Sequence, residues 1–418
     1  MKRTLALGGV AAGLLASALV TQPASAAGDV VSTPLASTGI AAQNIVAYWT
    51  AYNQANLVGA TPYDVETQVV SKHVSKGGPT ADTKPGVVPA IGDEKKVAST
   101  SKNVNLPKTT GKVFFLGSDD KPHWCTATSI QAAYKNLVAT AGHCVYDVES
   151  NSATLDNWVF IPGYYQGKTP WGIYVGKQAF THYDFDVYED GDRNYAFVTV
   201  YNGLKAPHDG PAYTDRDHPK YPKWYDKSGG DGWNDLGGWV EVTKDVYDQY
   251  WGKDTFKGDA VVCIGRGGKK HYFVWKFVDA GRLGDNVGGQ GLAYNQKIGQ
   301  SVYVFGYPSG KHPDGNHAYS GHTLKWSYGK TFAAKAADIK AEEIIGVKSS
   351  FTGEGSLGSA WISQYKSARR LGYLNGVTIG VSDTDGNKRY DTSVSSYFDG
   401  ETYGVYKAAA NLWSGSIA

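Results

Sequence analysis

Cysteine is scarce in this chain: only three of its 418 residues are Cys. So few cysteines exclude a small domain held together by several disulfides, in which cysteine is dense. A chain of this length can instead bury a large hydrophobic core and still hold an insertion or an accessory segment, since about 100–200 residues make one domain.

Long apolar runs are missing outside the N-terminus. Residues 1–26 carry Lys2 and Arg3, then an apolar stretch from Leu5 to Val20, then the small residues 24–26, which is the layout of a secretory signal peptide. No later stretch reaches the roughly 20 apolar residues that a membrane-spanning helix needs. The sequence therefore predicts a secreted, extracellular protein without a membrane span.

An excess of one charge is also lacking. The chain has 41 basic and 39 acidic residues, and removal of Lys2 and Arg3 with the signal peptide leaves 39 of each. A net charge near zero gives no indication of nucleic acid or another polyanion as a partner.

Glycine and aromatic residues are abundant instead, with 52 Gly, 29 Tyr and 12 Trp. From Val113 onward, short apolar runs alternate with turn residues, a pattern typical of β-strands. The first runs cover residues 113–116, 126–130, 137–140, 158–161 and 195–201. The composition and these runs together favour an all-β fold.

The region before the strands has a different character. Ser37 or Thr38 is placed to cap a helix whose apolar residues recur at helical spacing. Those apolar residues are Ala41, Ile45, Tyr48, Trp49 and Tyr52. Residues 74–110 are rich in Lys, Pro, Gly, Ser and Thr without apolar periodicity, which predicts a linker.

Two motifs bear on function. Residues 140–144 read Thr-Ala-Gly-His-Cys, and residues 351–361 read Phe-Thr-Gly-Glu-Gly-Ser-Leu-Gly-Ser-Ala-Trp. Together they resemble the histidine and nucleophile motifs of trypsin-like serine peptidases, and of the secreted actinobacterial members in particular. The resemblance covers most of the chain outside residues 203–283, and it implies two six-stranded-type β-barrels.

The resemblance also suggests how the chain is divided. We expect an N-terminal helix, an aromatic-rich insertion and a C-terminal helix around the two barrels. The predicted segments are 1–26 signal peptide, 27–73 N-terminal helical segment, 74–110 linker, 111–202 first barrel, 203–283 insertion, and 284–418 second barrel with C-terminal helix.

The residues at the family's triad positions are only partly those of an enzyme. His143 occupies the position of the general base, and Asn194 stands where these peptidases have the Asp that orients it. Leu357 stands where the reactive Ser belongs, and an alkyl side chain offers no nucleophile. The family's oxyanion hole would use the backbone N–H groups of Gly355 and Leu357. Glu354 and Ser359 both replace glycines of the family motif. The resemblance is therefore to a degenerate member, a pseudo-peptidase.

Two neighbouring residues leave an active enzyme open as an alternative. Ser356 precedes Leu357 and could serve as a displaced nucleophile, although this would shift the loop by one residue. Asp192 lies two residues before Asn194, so a strand would point both side chains to the same face about 6.6 Å apart. An active serine peptidase or esterase would use these two residues.

The family's disulfide beside the catalytic histidine implies a bond between Cys125 and Cys144. Cys263 is then left over. It is either a buried small apolar residue or the site of an intermolecular disulfide.

Three functions follow from these patterns. The first is a secreted, inactive peptidase homologue that binds a protein or cell-envelope partner, and the second is the displaced-residue enzyme. The third is a carbohydrate-binding protein that uses the Trp-rich insertion. No cofactor or metal is expected: residues 383–387 carry oxygen ligands at alternating positions but are better interpreted as a polar turn than as a calcium loop.

Overall fold

The structure is a computed structural model that describes residues 29–63, 79–92, 103–148, 154–205, 239–245, 248, 261–266, 269–275 and 278–417. The predicted signal peptide lies outside these residues. The helices are α1 Gly39–Gly59, α2 Tyr183–Tyr188, α3 Leu283–Val287 and α4 Gly400–Ala410, with 3-10 turns at Gly142–Cys144, Gly191–Arg193 and Ala337–Ile339. None of the helices in the described ranges has the length and apolar character to span a membrane.

The strands, in chain order, are β1 Val30–Pro34, β2 Thr61–Pro62, β3 Gly86–Val88, β4 Thr110–Leu116, β5 Pro122–Ile130, β6 Leu137–Thr140, β7 Asp156–Pro162, β8 Tyr174–His182, β9 Ala196–Val200, β10 Gly203–Lys205, β11 Trp239–Val242, β12 Val261–Arg266, β13 Lys269–Trp275, β14 Val278–Gly281, β15 Gly291–Tyr294, β16 Ser301–Gly306, β17 Lys325–Lys330, β18 Phe332–Ala336, β19 Ala341–Lys348, β20 Ala360–Lys366, β21 Leu371–Val377, β22 Gly380–Ser382 and β23 Thr392–Ser396.

The first half of the β structure is a closed barrel. Its strands pair in the order β8-β7-β4-β5-β6-β9, and β9 pairs with β8 to close the ring. Large side chains such as Trp158, Phe160 and Phe197 are fully buried in its core. Closure removes exposed strand edges, so this half is a rigid frame for the turn that follows β6.

The second half consists of two sheets that pack on each other. One has the order β17-β16-β20-β21-β15-β3, and the other has the order β18-β19-β23-β22. Between them lies a core that includes Val304, Ile345 and Trp361. The all-β, two-barrel fold class expected from the sequence is confirmed.

The predicted N-terminal helix is present as α1. The Thr38 side chain caps it by accepting a hydrogen bond from the Ala41 amide at 3.1 Å. Trp49 is fully buried, packs against Phe114 of the first barrel and donates its indole N–H to the Asn157 carbonyl at 2.7 Å. The helix therefore packs on the outside of the first barrel.

Part of the predicted linker is a strand instead. Within residues 74–110, β3 pairs with β15, and Val88 lies opposite Leu292. Gly86 is needed there, because a Cβ atom would lie 2.2 Å from the Tyr294 ring. Asp82 accepts hydrogen bonds from the Asn295 side chain and the Gly400 amide, both at 2.8 Å. This strand was not predicted, because three residues held by backbone pairing leave no readable periodicity.

The predicted insertion, 203–283, is described only in part. Its two ends pair with each other as β10 and β14, and β11, β13 and β12 form a separate three-stranded sheet. Cys263 lies opposite Tyr272 in that sheet. Residues 206–238 and 249–260, which contain Trp224, Trp233 and Trp251, lie outside the described residues. The intermolecular disulfide through Cys263 stays a prediction.

The disulfide between Cys125 and Cys144 is present, with Cα atoms 6.2 Å apart. This separation lies within the range that a disulfide can bridge. The bond ties β5 to the turn that carries His143.

Candidate active site

His143 lies in the 3-10 turn directly after β6, with 3% of its surface exposed. The preceding Gly142 is required by packing, since a Cβ atom there would lie 2.4 Å from the Phe185 ring. Trp158 donates its indole N–H to the Cys144 carbonyl at 3.0 Å and holds the other side of the turn. The barrel therefore gives the imidazole one defined position.

Asn194 follows the 3-10 turn Gly191–Arg193 and contacts the imidazole. Its Oδ1 accepts a hydrogen bond from the His143 backbone N–H at 3.2 Å. Its Nδ2 lies 2.8 Å from His143 Nδ1, and Oδ1 lies 3.0 Å from the same nitrogen. Oδ1 thus lies within hydrogen-bond distance of both the His143 backbone N–H and its Nδ1. These contacts fit either ring tautomer, and neither brings to the imidazole the carboxylate that orients a general base.

The other ring nitrogen of His143 is isolated. Nε2 is buried and has no hydrogen-bond partner among the described residues. Burial lowers the pKa of His143 to about 4, and the hydrogen bond with Asn194 opposes this shift. A carboxylate at position 194 would favour the charged imidazolium more strongly than the amide does.

We expect His143 to remain neutral down to about pH 4. Since folding favours the neutral ring, the stability it contributes is full above the unfolded pKa near 6.5 and is lost as the pH falls toward 4. Imidazole ¹⁵N shifts recorded from pH 7 to 4 measure this titration. Asn194→Asp should raise the pKa, because a carboxylate stabilises the imidazolium; an unmodified protein whose imidazole titrates near its ordinary value of about 6.5 would contradict the expectation.

The loop with Leu357 is anchored on the strands that lead to His143. Thr126 of β5 donates its N–H to the Leu357 carbonyl and its hydroxyl to the Gly355 carbonyl, each at 2.8 Å. Thr140, at the end of β6, donates its hydroxyl to the Thr126 carbonyl at 2.8 Å. The Leu357 side chain is fully buried. The oxyanion role of the Gly355 and Leu357 amides stays a prediction.

Both glycines that flank Leu357 are required. Gly355 and Gly358 have φ angles of +73° and +77°, a region that favours glycine. A Cβ atom at Gly355 would lie 2.1 Å from the Trp124 ring, and one at Gly358 would lie 2.0 Å from the Thr126 carbonyl oxygen. The tight turn of the motif is kept although its nucleophile is absent.

Ser356 and Asp192 direct their side chains elsewhere. The Ser356 hydroxyl donates to the Gly353 and Thr352 carbonyls and is fully buried. The Asp192 carboxylate accepts the backbone N–H groups of Glu342 and Glu343 at 2.9 and 2.7 Å. Burial raises the pKa of Asp192 to about 6, and these two amides oppose the shift.

A pocket opens beside His143 and Asn194. Ile339 and Lys340 come to it from the second half of the protein. Lys340 forms an ion pair with Glu189 at 2.8 Å, across the two halves. Ile339 and Lys340 could not be predicted as site residues from the sequence, because they end and follow a short 3-10 turn that carries no motif.

Lys112 lies beneath the Leu357 loop with only 2% of its surface exposed. Its ammonium nitrogen lies 3.3 Å from the centre of the Trp124 ring and 4.5 Å from that of Tyr164. Burial lowers the pKa of Lys112 well below its usual value. No ion pair between Lys112 and a described carboxylate is present. The same Trp124 ring packs against Gly355, so this lysine braces the loop from below.

We expect Lys112→Met to raise the free energy of unfolding at pH 7 by about 1–3 kcal/mol, since an apolar side chain of similar length escapes the desolvation cost. The pKa of Lys112 is lower in the folded protein than in the unfolded one. The unmodified protein should therefore gain stability as the pH rises toward 10. Denaturant unfolding at pH 7 and 9 should show that this gain is reduced in the variant. Lys108→Met is the matched control, because Lys108 lies over Trp171 but is exposed. A loss of stability in Lys112→Met would contradict the prediction.

No metal site is found in the described residues, where no cluster of three or more His, Cys, Asp and Glu side chains is arranged to hold an ion. In the loop 383–387, Asp383 accepts the backbone N–H groups of Gly386 and Lys388 at 2.9 and 2.8 Å. Asp391 accepts hydrogen bonds from Thr384. These contacts are those of a polar turn.

No protein-family model and no curated protein matches the chain. Solved structures do match. Protease Anisep from Arthrobacter nicotinovorans is 20% identical over 73% of this chain and 97% of its own, with a TM-score of 0.47. The thermostable serine protease AL20 from an extremophilic microorganism is 18% identical over 72% and 97%, with a TM-score of 0.46. A Glu endopeptidase in complex with MPD is 13% identical over 77% and 98%, with a TM-score of 0.40.

Proposed function

We propose that this chain is a secreted, trypsin-like peptidase homologue without peptidase activity, which acts by binding a protein or cell-envelope partner. The observation that carries the proposal is the environment of His143. Its Nδ1 is paired with an amide, and its Nε2 has no hydrogen-bond partner among the described residues. A working site needs a carboxylate on one nitrogen and a hydroxyl on the other.

The geometry gives little support to the displaced-residue enzyme. Ser356 would have to leave two carbonyl acceptors inside the loop, and Asp192 would have to leave the amides at the start of β19. Moving Ser356 breaks buried hydrogen bonds, which cost about 1–3 kcal/mol apiece when a partner is left unsatisfied, and moving Asp192 breaks two exposed ones.

The pocket beside His143 supports a binding role. Its lining combines apolar side chains, such as Phe185 and Ile339, with the polar ones of His143, Asn194 and Asp338. The Glu189–Lys340 ion pair also lines the pocket and is partly exposed. Apolar pockets with a few placed polar groups are where proteins bind ligands. The extracellular location is supported by the signal-like N-terminus and by the disulfide.

A mixed peptide library tests the proposal when it is incubated with the mature protein and with His143→Ala, with mass spectrometry as the readout. We expect equal, background-level cleavage in both samples. Peptides that bind the pocket should shift the His143 resonances and be recovered intact. Cleavage by the unmodified protein that His143→Ala abolishes would overturn the inactive assignment.

A further inference from the structure

An exposed set of aromatic rings lies on the second half of the protein, on strands that the candidate active site does not use. The set, called here the aromatic platform, comprises Tyr303, Trp326, Tyr328 and Tyr365. Trp326 and Tyr328 are 45% and 52% exposed. The Tyr303 ring centre lies 5.8 Å from that of Trp326, 4.7 Å from that of Tyr328 and 5.4 Å from that of Tyr365.

Strand alternation explains why these rings face solvent. Along β17, Trp326, Tyr328 and Lys330 are exposed, and the residues between them are half-buried. The opposite face of β17 packs on β19, where a Cβ atom at Gly329 would lie 2.6 Å from Val347. Since side chains two apart share one face about 6.6 Å apart, Trp326, Tyr328 and Lys330 form a row.

The strands that form this surface carry positive charge and no negative charge. None of the six strands of its sheet, β3, β15, β16, β17, β20 and β21, contains an Asp or a Glu. Lys330 ends β17 on the face of the aromatic row and is exposed, whereas Lys325 begins the strand on the opposite face by strand alternation. Among the described residues Lys330 has no ion-pair partner. The near-zero net charge of the whole chain conceals this local excess.

We propose that the aromatic platform binds an acidic polysaccharide, one whose sugar rings carry carboxylates. A pyranose ring presents a face of C–H groups that packs on the flat, rigid rings of Trp and Tyr, and its hydroxyls stay in water. Carboxylates along the polymer would pair with Lys330, which has no carboxylate of its own sheet to neutralise it. This site is separate from the candidate active site and does not depend on the cleft being inactive.

Affinity electrophoresis in gels that contain polygalacturonate tests the proposal. We expect the mature protein to be retarded, and Trp326→Ala/Tyr328→Ala to weaken the apparent affinity at least tenfold. Lys330→Gln should weaken it several-fold and reduce its dependence on salt, whereas Lys325→Gln, on the opposite face of β17, should not. The matched control is Trp413→Ala, which removes a ring that is 54% exposed elsewhere and should bind like the unmodified protein. Far-ultraviolet circular dichroism checks that each variant is folded.

Three results would overturn the proposal. Equal retardation by polyglutamate would show that charge without sugar rings suffices. Equal retardation by a neutral glucan would show that the charge of Lys330 has no role in binding. A solution dimer that Trp326→Ala/Tyr328→Ala converts to a monomer would assign the face to a second copy of this chain. Because none of these assays involves His143, their failure is distinguishable from a failure of the proposed inactivity.

Discussion

Leu357→Ser combined with Asn194→Asp should give a protein that reacts with a fluorophosphonate and hydrolyses peptides, whereas each single change should give almost no activity. Loss of the serine in a triad hydrolase costs roughly six orders of magnitude in rate, and the Asp-to-Asn exchange costs about four. Triad members act as a unit, so only the pair restores the reaction. The double variant should therefore exceed either single one by several orders of magnitude.

The stability cost of these changes needs its own control. Leu357 is fully buried, and replacing such a leucine by a small residue costs about 2–5 kcal/mol. The control is Leu357→Ala with Asn194→Asp, which should lose the same unfolding free energy but has no hydroxyl. Activity in the Ser variant and not in the Ala variant would therefore come from the restored nucleophile. If the folded Ser/Asp variant stays inert, the Leu357 loop does not keep a working geometry. Glu354 and Ser359 would then be the next residues to revert.

Removing the disulfide should destabilise the protein by about 3 kcal/mol, because the bond closes a 19-residue stretch of chain and restricts the unfolded state. Cys125→Ala/Cys144→Ala should show this loss in guanidinium unfolding. Reduction of the unmodified protein should reproduce the loss, and the double variant should not respond to reductant. The loss of the bond should also affect the candidate active site, because the bond joins β5 to the turn that carries His143. Equal unfolding free energies for the two proteins would contradict this prediction.

The fold was predictable wherever side-chain patterns are local. Alternating apolar runs indicated the strands, and the Thr38 cap with spaced apolar residues indicated α1. The pairing of β3 with β15 was not predictable, since backbone hydrogen bonds over three residues need no particular side chains. The division of the second half into two sheets depends in the same way on long-range pairing.

The candidate site was predictable where residues lie inside a motif. His143 and Asn194 are in contact, as the motifs imply. The directions of Ser356 and Asp192 were not readable, because they depend on acceptors and donors in distant segments such as the start of β19. Lys112 and Trp124 carried no signal either: a lysine inside a strand is normally exposed, and only the packed structure places aromatic rings around it.

The most direct test of the central claim is fluorophosphonate labelling of the unmodified, mature protein, since the reagent bonds only to an activated serine. The account predicts no labelling, because Leu357 offers no hydroxyl and the Ser356 hydroxyl donates to carbonyls within its own loop. Labelling that maps to Ser356 and disappears in His143→Ala would contradict the account and assign the protein as an active hydrolase.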